Sequence, residues 1–194
     1  MSIALEPDSF YHIYNRANGN EKLFASKENY RFFLKRYREL ISPIADSFAY
    51  CLMPNHFHFL VRIKSEEELR TFPKFQTLEK FPLVLSKNFS NLFSSYTQAY
   101  NKQQGRKGSL FMKNFKRKPI LNETYLRKLI HYIHYNPVNH NYCKDIEEWE
   151  FCSYKTIITS KPTIIKREEV ISYFDDLENF IYCHKNPPKL TGIE

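Results

Sequence analysis

The stretch Met53-Pro54-Asn55-His56-Phe57-His58-Phe59-Leu60-Val61 decides how the rest of the chain is read. Side chains alternate across a β-strand, so His56 and His58 leave one face while Phe57, Phe59 and Val61 leave the other. One face is apolar and needs a covering layer; the other carries an imidazole pair. Two ring nitrogens at this spacing can hold one divalent cation if other elements bring further ligands. Taken alone, such a pair is usually an ordinary polar strand face, and residues elsewhere must separate the two readings.

Working outward, Ser47–Leu52 reads as the preceding strand, Pro54-Asn55 as the turn, and His56–Ile63 as the strand that carries the pair. Upstream, Phe10-Tyr11-His12-Ile13-Tyr14-Asn15-Arg16 is rich in strand formers and ends at the turn composition Ala17-Asn18-Gly19-Asn20. His12 shares a face with Phe10 and Tyr14 and reads as structural. Arg16 and Asn18 at the strand end suit phosphate or base contacts, and suit a solvated strand end equally well. Between these strands, Ser26 is placed to cap a helix through Ile41, with Tyr30, Phe33, Leu34, Tyr37, Leu40 and Ile41 at helical spacing and a basic outer face.

Downstream, residues 65–82 read as an irregular loop, acidic at Ser65-Glu66-Glu67-Glu68 and broken by Pro73 and Pro82. A second helix is expected from Leu83 to Lys102 on the stripe Leu85, Phe89, Leu92, Phe93, Tyr96 and Tyr100. Between Glu79 and Glu123 there is no carboxylate, and the segment Arg106-Lys107-Gly108-Ser109-Leu110-Phe111-Met112-Lys113-Asn114-Phe115-Lys116-Arg117-Lys118 interleaves cations with aromatics. That pattern favours a surface that tracks phosphates. Phe115–Ile120 supplies a fourth strand. Asn122 caps a third helix that buries Leu126, Leu129, Ile130 and Ile133 and is expected to stop or kink at Asn136-Pro137. Lys128, Tyr132 and Asn136 stack four residues apart on another face of it, a hydroxyl beside a neutral oxygen ligand.

Strand, helix, strand, strand, helix, strand and a further helix define an α+β fold, a ferredoxin-like βαββαβ antiparallel sheet with an added helix and a C-terminal extension. In that topology strands one and three are central neighbours. Two helices cover Phe57, Phe59 and Val61, and the third is left to pack on the histidine face, where His56, His58, Tyr132 and Asn136 can meet. Length suits one domain, residues 1–160, with a helical extension over 161–194. A net charge of +8 and a pI near 9.2 point to a polyanionic partner, nucleic acid before membrane. Neither a leader-like start nor a long apolar run is present, so a cytoplasmic, nucleoid-associated protein is expected. Four scattered cysteines without a Cys-x-x-Cys pair read as reduced thiols.

Tyr11-His12-Ile13-Tyr14-Asn15-Arg16, Met53-Pro54-Asn55-His56-Phe57-His58, Arg106-Lys107-Gly108-Ser109-Leu110-Phe111 and Tyr132-Ile133-His134-Tyr135-Asn136-Pro137-Val138, with Trp149-Glu150-Phe151-Cys152-Ser153-Tyr154 more weakly, come in an order that resembles a known family. It is that of the insertion-sequence 200-like transposases, above all their relatives associated with repetitive extragenic palindromes (REP). The resemblance implies a histidine-hydrophobic-histidine (HUH), single-tyrosine endonuclease and strand transferase acting on single-stranded or hairpin DNA. It implies Tyr132 as nucleophile, His56 and His58 as metal ligands with Asn136 as the third, Mg2+ or Mn2+ as the ion, and a 5′-phosphotyrosine intermediate. Arg16, Arg106, Lys107, Lys113, Lys116, Arg117 and Lys128 are the expected DNA contacts. Full transposases of this type are dimers and the palindrome-associated ones can act as monomers, so either state is open. The competing reading is a non-catalytic nucleic-acid-binding domain of the same fold, which requires exposed phenylalanines on the open sheet face.

Overall fold

Phe10–Arg16 (β1), Ala45–Met53 (β2), His56–Ile63 (β3) and Lys116–Ile120 (β4) form one antiparallel sheet in the order β2-β3-β1-β4 in the computed structural model, which describes residues 3–75 and 81–186. Helix α1 (Lys27–Leu40) links β1 to β2, and α3 (Phe81–Gln104) links β3 to β4. This is the α+β, ferredoxin-like arrangement that the residue pattern predicts, with β1 and β3 paired at the centre. Phe57, Phe59 and Val61 are buried under α1 and α3 against Phe33, Tyr37, Leu92 and Tyr96, the face the phenylalanine alternation assigns to the core. Tyr37 stacks on Phe59 at 4.3 Å between ring centroids and Phe33 meets Tyr96 edge-on at 5.0 Å, the two geometries that the aromatic quadrupole favours.

Several local expectations need correcting. Ser26 stands at the N-cap of α1, but the cap is made by Asn29, whose Oδ1 accepts the Ala25 and Ser26 amides at 3.0 and 3.1 Å. The acidic stretch taken as loop is a short helix, α2 (Glu66–Arg70), followed by a 3₁₀ turn at Pro73–Phe75. Ser65 Oγ accepts the Glu68 amide and Glu68 Oε2 accepts the Ser65 amide, so Ser-x-x-Glu was a capping signal rather than a loop composition. Residues 76–80 of the expected loop lie outside the described residues. The second of the long helices starts at Phe81, which places Pro82 in the first turn, where a missing amide costs nothing.

Helix α4 (Glu123–Asn139), capped by Asn122 Oδ1 on the Tyr125 amide at 2.8 Å, does not stop at Pro137. Proline removes one bond, to the Ile133 carbonyl, in the last turn only. Asn136 and Pro137 are both buried, and the His140 amide still bonds the Asn136 carbonyl at 3.0 Å, so the turn is held by packing on both sides. Leu126, Leu129, Ile130 and Ile133 pack on the second sheet face against Phe48, Cys51, Met53 and Leu60. That places α4 over the histidines.

The segment after α4 protects the open edge of β2, a row of backbone groups that would otherwise be free to pair with another chain. Leu52 N donates to Phe151 O, Ser153 N to Tyr50 O, and Trp149 Nε1 to Leu52 O, each at 2.9 Å. Lys166 N adds a bond to Ser47 O, also at 2.9 Å. Short helices α5 (Tyr154–Ile157), α6 (Arg167–Ser172) and α7 (Leu177–Lys185) complete this layer; residues 187–194 of the expected extension lie outside the described residues. Cys51 and Cys152 are buried thiols facing one another across an antiparallel bridge, and Cys143 and Cys183 are half-buried. Among the described residues no helix is long and apolar enough to cross a membrane.

Candidate functional site

Register builds the site. Tyr14 lies opposite His58 and Arg16 opposite His56 on the β1–β3 ladder, while Lys118 and Lys116 lie opposite His12 and Tyr14 on the β1–β4 ladder. With a period of two, one face of the sheet therefore carries His56, His58, Tyr14, Arg16, Lys116 and Lys118 together. Three of these six are cations. Their end of the sheet opens into a cleft of about 500 Å3 lined by Arg16, Asn55, His56, His58, Lys113, Lys116 and His140, among others.

Helix α4 brings the remaining groups. Tyr132 stands edge-on to His58 at 5.4 Å between ring centroids and is 8% exposed. One turn later Asn136, 1% exposed, points Oδ1 at His56 Nε2 from 3.1 Å. The four residues that spacing places in one constellation thus lie together. His56 Nδ1 is 2.7 Å from Asn55 Oδ1. Two acceptor oxygens on the two nitrogens of one ring leave two ways to satisfy it: an imidazolium that donates to both, or a neutral ring that donates to Asn55 and turns its Nε2 lone pair to a cation shared with Asn136.

His58 decides which fits the site better. Burial, and then the neighbouring His12, His56 and His140, hold its pKa well below the usual imidazole range, so it is a neutral ring, the form that ligates metals. Its Nε2 is buried and lacks a hydrogen-bond partner in the protein, as does Asn136 Nδ2. The 3.1 Å between His56 Nε2 and Asn136 Oδ1 is close to the roughly 3 Å between adjacent ligands of an octahedral ion with bonds of about 2.1 Å. Among the described residues no three His, Cys, Asp or Glu side chains come together as a metal site by themselves, so an ion here needs the Asn136 amide and substrate or water oxygens. The donor set of two imidazoles and an amide oxygen fits a divalent ion that keeps open positions.

Geometry of this kind can be compared with that of known proteins. No family model matches the chain. A protein of Haemophilus influenzae, named provisionally as a REP-associated tyrosine transposase, is 23% identical over 109 residues, 56% of this chain and 58% of that protein. A solved structure described as a REP-associated tyrosine transposase bound to a REP hairpin superposes with a TM-score of 0.60 at 16% identity, over 84% of this chain and 87% of that one. The chain resembles the REP-associated tyrosine transposases. The chain spans somewhat more than half the length of the Haemophilus protein, and at this identity the solved structure speaks for the fold.

In this transposase-like fold the basic residues divide into four groups. Arg16, Lys113 and Lys116 line the histidine cleft. Arg117 faces the neighbouring groove along α3, a space of about 750 Å3 that shares Asn15, Met112 and Lys113 with the cleft; its guanidinium lies over Phe115 at 4.5 Å and donates to Ser86 Oγ at 2.7 Å. Arg106 is tied by an ion pair to Glu21 at 2.6 Å and by a hydrogen bond to Asn101, so it staples the 106–111 segment to the loop after β1. Lys107 is exposed on that segment. Lys128 lines a separate depression between α4 and α7 with His131 and Cys183, so the i,i+4 spacing from Tyr132 does not bring it to the histidine cleft.

Two site residues escaped the sequence reading. His140 lies in the cleft with its ring 4.9 Å from His56; the four-residue ladder 132, 136, 140 contained it, but the expected helix end at Pro137 hid it. His12 was read as structural, yet its Nε2 is 2.9 Å from His58 Nδ1. The signal was its face: His12, Tyr14 and Arg16 alternate on β1, and Tyr14 and Arg16 lie opposite the histidine pair on β3. His134 stands on the side of α4 away from the cleft, hydrogen-bonded to His184 and Ser153, and Tyr135 stacks on His131 at 5.1 Å.

Proposed function

We propose that the chain is a metal-dependent single-strand DNA endonuclease and strand transferase of the HUH type, which cleaves next to hairpin DNA with Tyr132 as nucleophile. The observation that carries this reading is the convergence of Tyr132 and Asn136 from α4 on His56 and His58 from β3, the two histidines that line a cleft shared with Arg16, Lys113 and Lys116. His56 Nε2, His58 Nε2 and Asn136 Oδ1 would hold a Mg2+ or Mn2+ ion, which supplies electrophilic stabilisation of charge developing on the phosphoryl oxygens. Tyr132 is packed edge-on against His58 and His12, so its approach to a phosphate in the cleft is fixed before the DNA arrives. Its oxygen forms the new bond to phosphorus while the bond to the 3′ oxygen breaks. The leaving oxygen takes a proton, and the products are a 5′-phosphotyrosine and a free 3′-hydroxyl. One phosphodiester has replaced another, so the reverse attack by a 3′-hydroxyl rejoins DNA without a nucleotide cofactor.

Arg16, Lys113 and Lys116 at the cleft rim are placed to neutralise flanking phosphates, and the two lysines come from a stretch of chain free of carboxylates from residue 80 to 122. Burial of Phe57 and Phe59 under the helices disfavours the non-catalytic sheet-face binder, because no aromatic row from β3 is left for base stacking. The test is cleavage of a labelled hairpin oligonucleotide with single-stranded flanks in Mn2+ or Mg2+. Cleavage by the unaltered chain, loss of it in His58→Ala and Tyr132→Phe, and retained hairpin binding in both is the expected set of results. Cleavage that survives either substitution removes that residue from the reaction.

A further inference from the structure

We propose that His12 is the positioning residue for His58: it accepts the His58 Nδ1 proton, which fixes the ring and leaves the Nε2 lone pair bare toward the cleft. The inference deepens the metal-dependent reading above and rests on it. Its basis is a direct ring-to-ring contact. His12 Nε2 and His58 Nδ1 are 2.9 Å apart, the rings lie 5.1 Å between centroids, and the two residues are 1% and 5% exposed. No water reaches such a contact in quantity, so the two imidazoles must settle their protons between themselves.

There are two neutral arrangements. In one, His12 Nε2–H donates to His58 Nδ1; the proton of His58 is then on Nε2, which blocks that nitrogen from any cation. In the other, His58 Nδ1–H donates to His12 Nε2; His58 Nε2 carries a lone pair and His12 carries its proton on Nδ1. The protein itself offers little to choose between them, because His12 Nδ1 and His58 Nε2 are both buried without a hydrogen-bond partner. Each arrangement strands one N–H. A cation on His58 Nε2 breaks the tie, since only the second arrangement leaves that nitrogen able to bind. The outer partner of a ligating histidine is usually a carboxylate or a carbonyl that accepts its other N–H; here a second imidazole, on the neighbouring strand, takes that place.

The surroundings of His12 suit a holder rather than a ligand. Its ring is sandwiched by stacking on Tyr14 at 4.5 Å, and Tyr132 meets it edge-on at 6.3 Å. Burial, and then Lys118 opposite it on β4, favour the uncharged ring. His12 therefore touches both the proposed ligand and the proposed nucleophile while its own free nitrogen is buried away from solvent. A purely structural histidine would need none of this geometry, and an apolar aromatic ring of the same size would serve.

The experiment measures Mn2+ binding to the full chain without DNA, by loss of the free-ion paramagnetic resonance signal, for the unaltered protein and for His12→Phe, His12→Gln and His58→Ala, with thermal unfolding of each as a folding control. His12→Phe is expected to weaken Mn2+ binding by about 10- to 100-fold. His12→Gln, whose amide oxygen can accept the same proton, is expected to recover most of the loss, and His58→Ala to bind more weakly than either. Equal binding by His12→Phe and the unaltered chain, with His58→Ala impaired, overturns the role of His12 and leaves the metal reading intact. Absence of Mn2+ binding that depends on His58 overturns the metal reading and the inference with it. Should His12→Phe fail to fold, nitrogen-15 correlation spectra of the unaltered protein with Mg2+ decide: His58 protonated on Nδ1 supports the inference, and His58 protonated on Nε2 refutes it.

Discussion

Replacing His184 by glutamine should flatten the acid side of the stability profile. The C-terminal helix α7 docks on α4 through a chain of neutral groups. His184 Nδ1–H donates to the Phe180 carbonyl at 2.7 Å, so His184 Nε2 must accept, and His134 Nδ1–H supplies the proton at 2.9 Å. His134 Nε2 then accepts from Ser153 Oγ–H at 2.8 Å, and that oxygen accepts the Tyr50 amide of β2 at 2.8 Å. Every group in the relay has one proton to give, and an added proton sets two donors against each other in a dry interior. Burial holds the His184 pKa down to about 3 and pushes that of His134 well below the usual range.

The sign and size follow from linkage. Below about 6.5 the unfolded chain takes up a proton on each of these histidines and the folded chain does not, so stability is fully present above that pH and drains away as pH falls toward the folded values. For His184 the whole drop is worth about 5 kcal/mol, of which about 2 kcal/mol is lost between pH 7 and pH 5. His134 is shifted in the same direction by burial and adds to that loss, which is already a sizeable part of the 5–15 kcal/mol typical of a domain. The assay is urea unfolding from pH 7.5 to pH 5. His184→Gln keeps an acceptor for His134 but cannot titrate. It should be less stable than the unaltered chain by about 1–3 kcal/mol at pH 7.5, and the gap should shrink by about 2 kcal/mol at pH 5. Parallel profiles for the two proteins would refute the relay.

Two further outcomes concern the basic residues. Lys113→Ala and Lys116→Ala should each lower the slope of log affinity against log salt for hairpin DNA by about one, measured by fluorescence anisotropy at several salt concentrations, because both line the cleft. Arg106→Ala should leave that slope unchanged and instead cost up to about 1 kcal/mol of stability in urea unfolding, since its guanidinium is engaged by Glu21 and Asn101.

Much of the architecture was legible because it depends on period alone. The alternation in His56-Phe57-His58-Phe59 sorts core face from site face, and the strand limits Phe10–Arg16 and His56–Ile63 agree with that pattern to the residue. The contact between Tyr132, Asn136 and the histidine pair was also accessible, since a helix with one apolar stripe has one direction left for its four-residue ladder. What was not legible depends on the tertiary level. Whether an arginine meets DNA or a carboxylate cannot be read from charge, and Arg106 is spoken for by Glu21, 85 residues away in sequence. Proline at 137 carries a local signal to stop, and burial of Asn136 and Pro137 overrides it. His12 looked like a lone strand histidine because its partner lies 46 residues away, diagonal on the next strand. The capping box at Ser65, by contrast, was a local signal that proline-rich surroundings obscured.

The central claim is that one tyrosine becomes covalently joined to DNA. Incubation of the chain with a hairpin oligonucleotide carrying single-stranded flanks in Mn2+, followed by nuclease digestion, proteolysis and mass spectrometry, tests it most directly. A nucleotide 5′-phosphate joined to Tyr132 is the result expected from the position of that residue against His58 and His12. Adduct on Tyr135, which stacks on His131 away from the cleft, or strand cleavage with no adduct on Tyr132, would contradict the account.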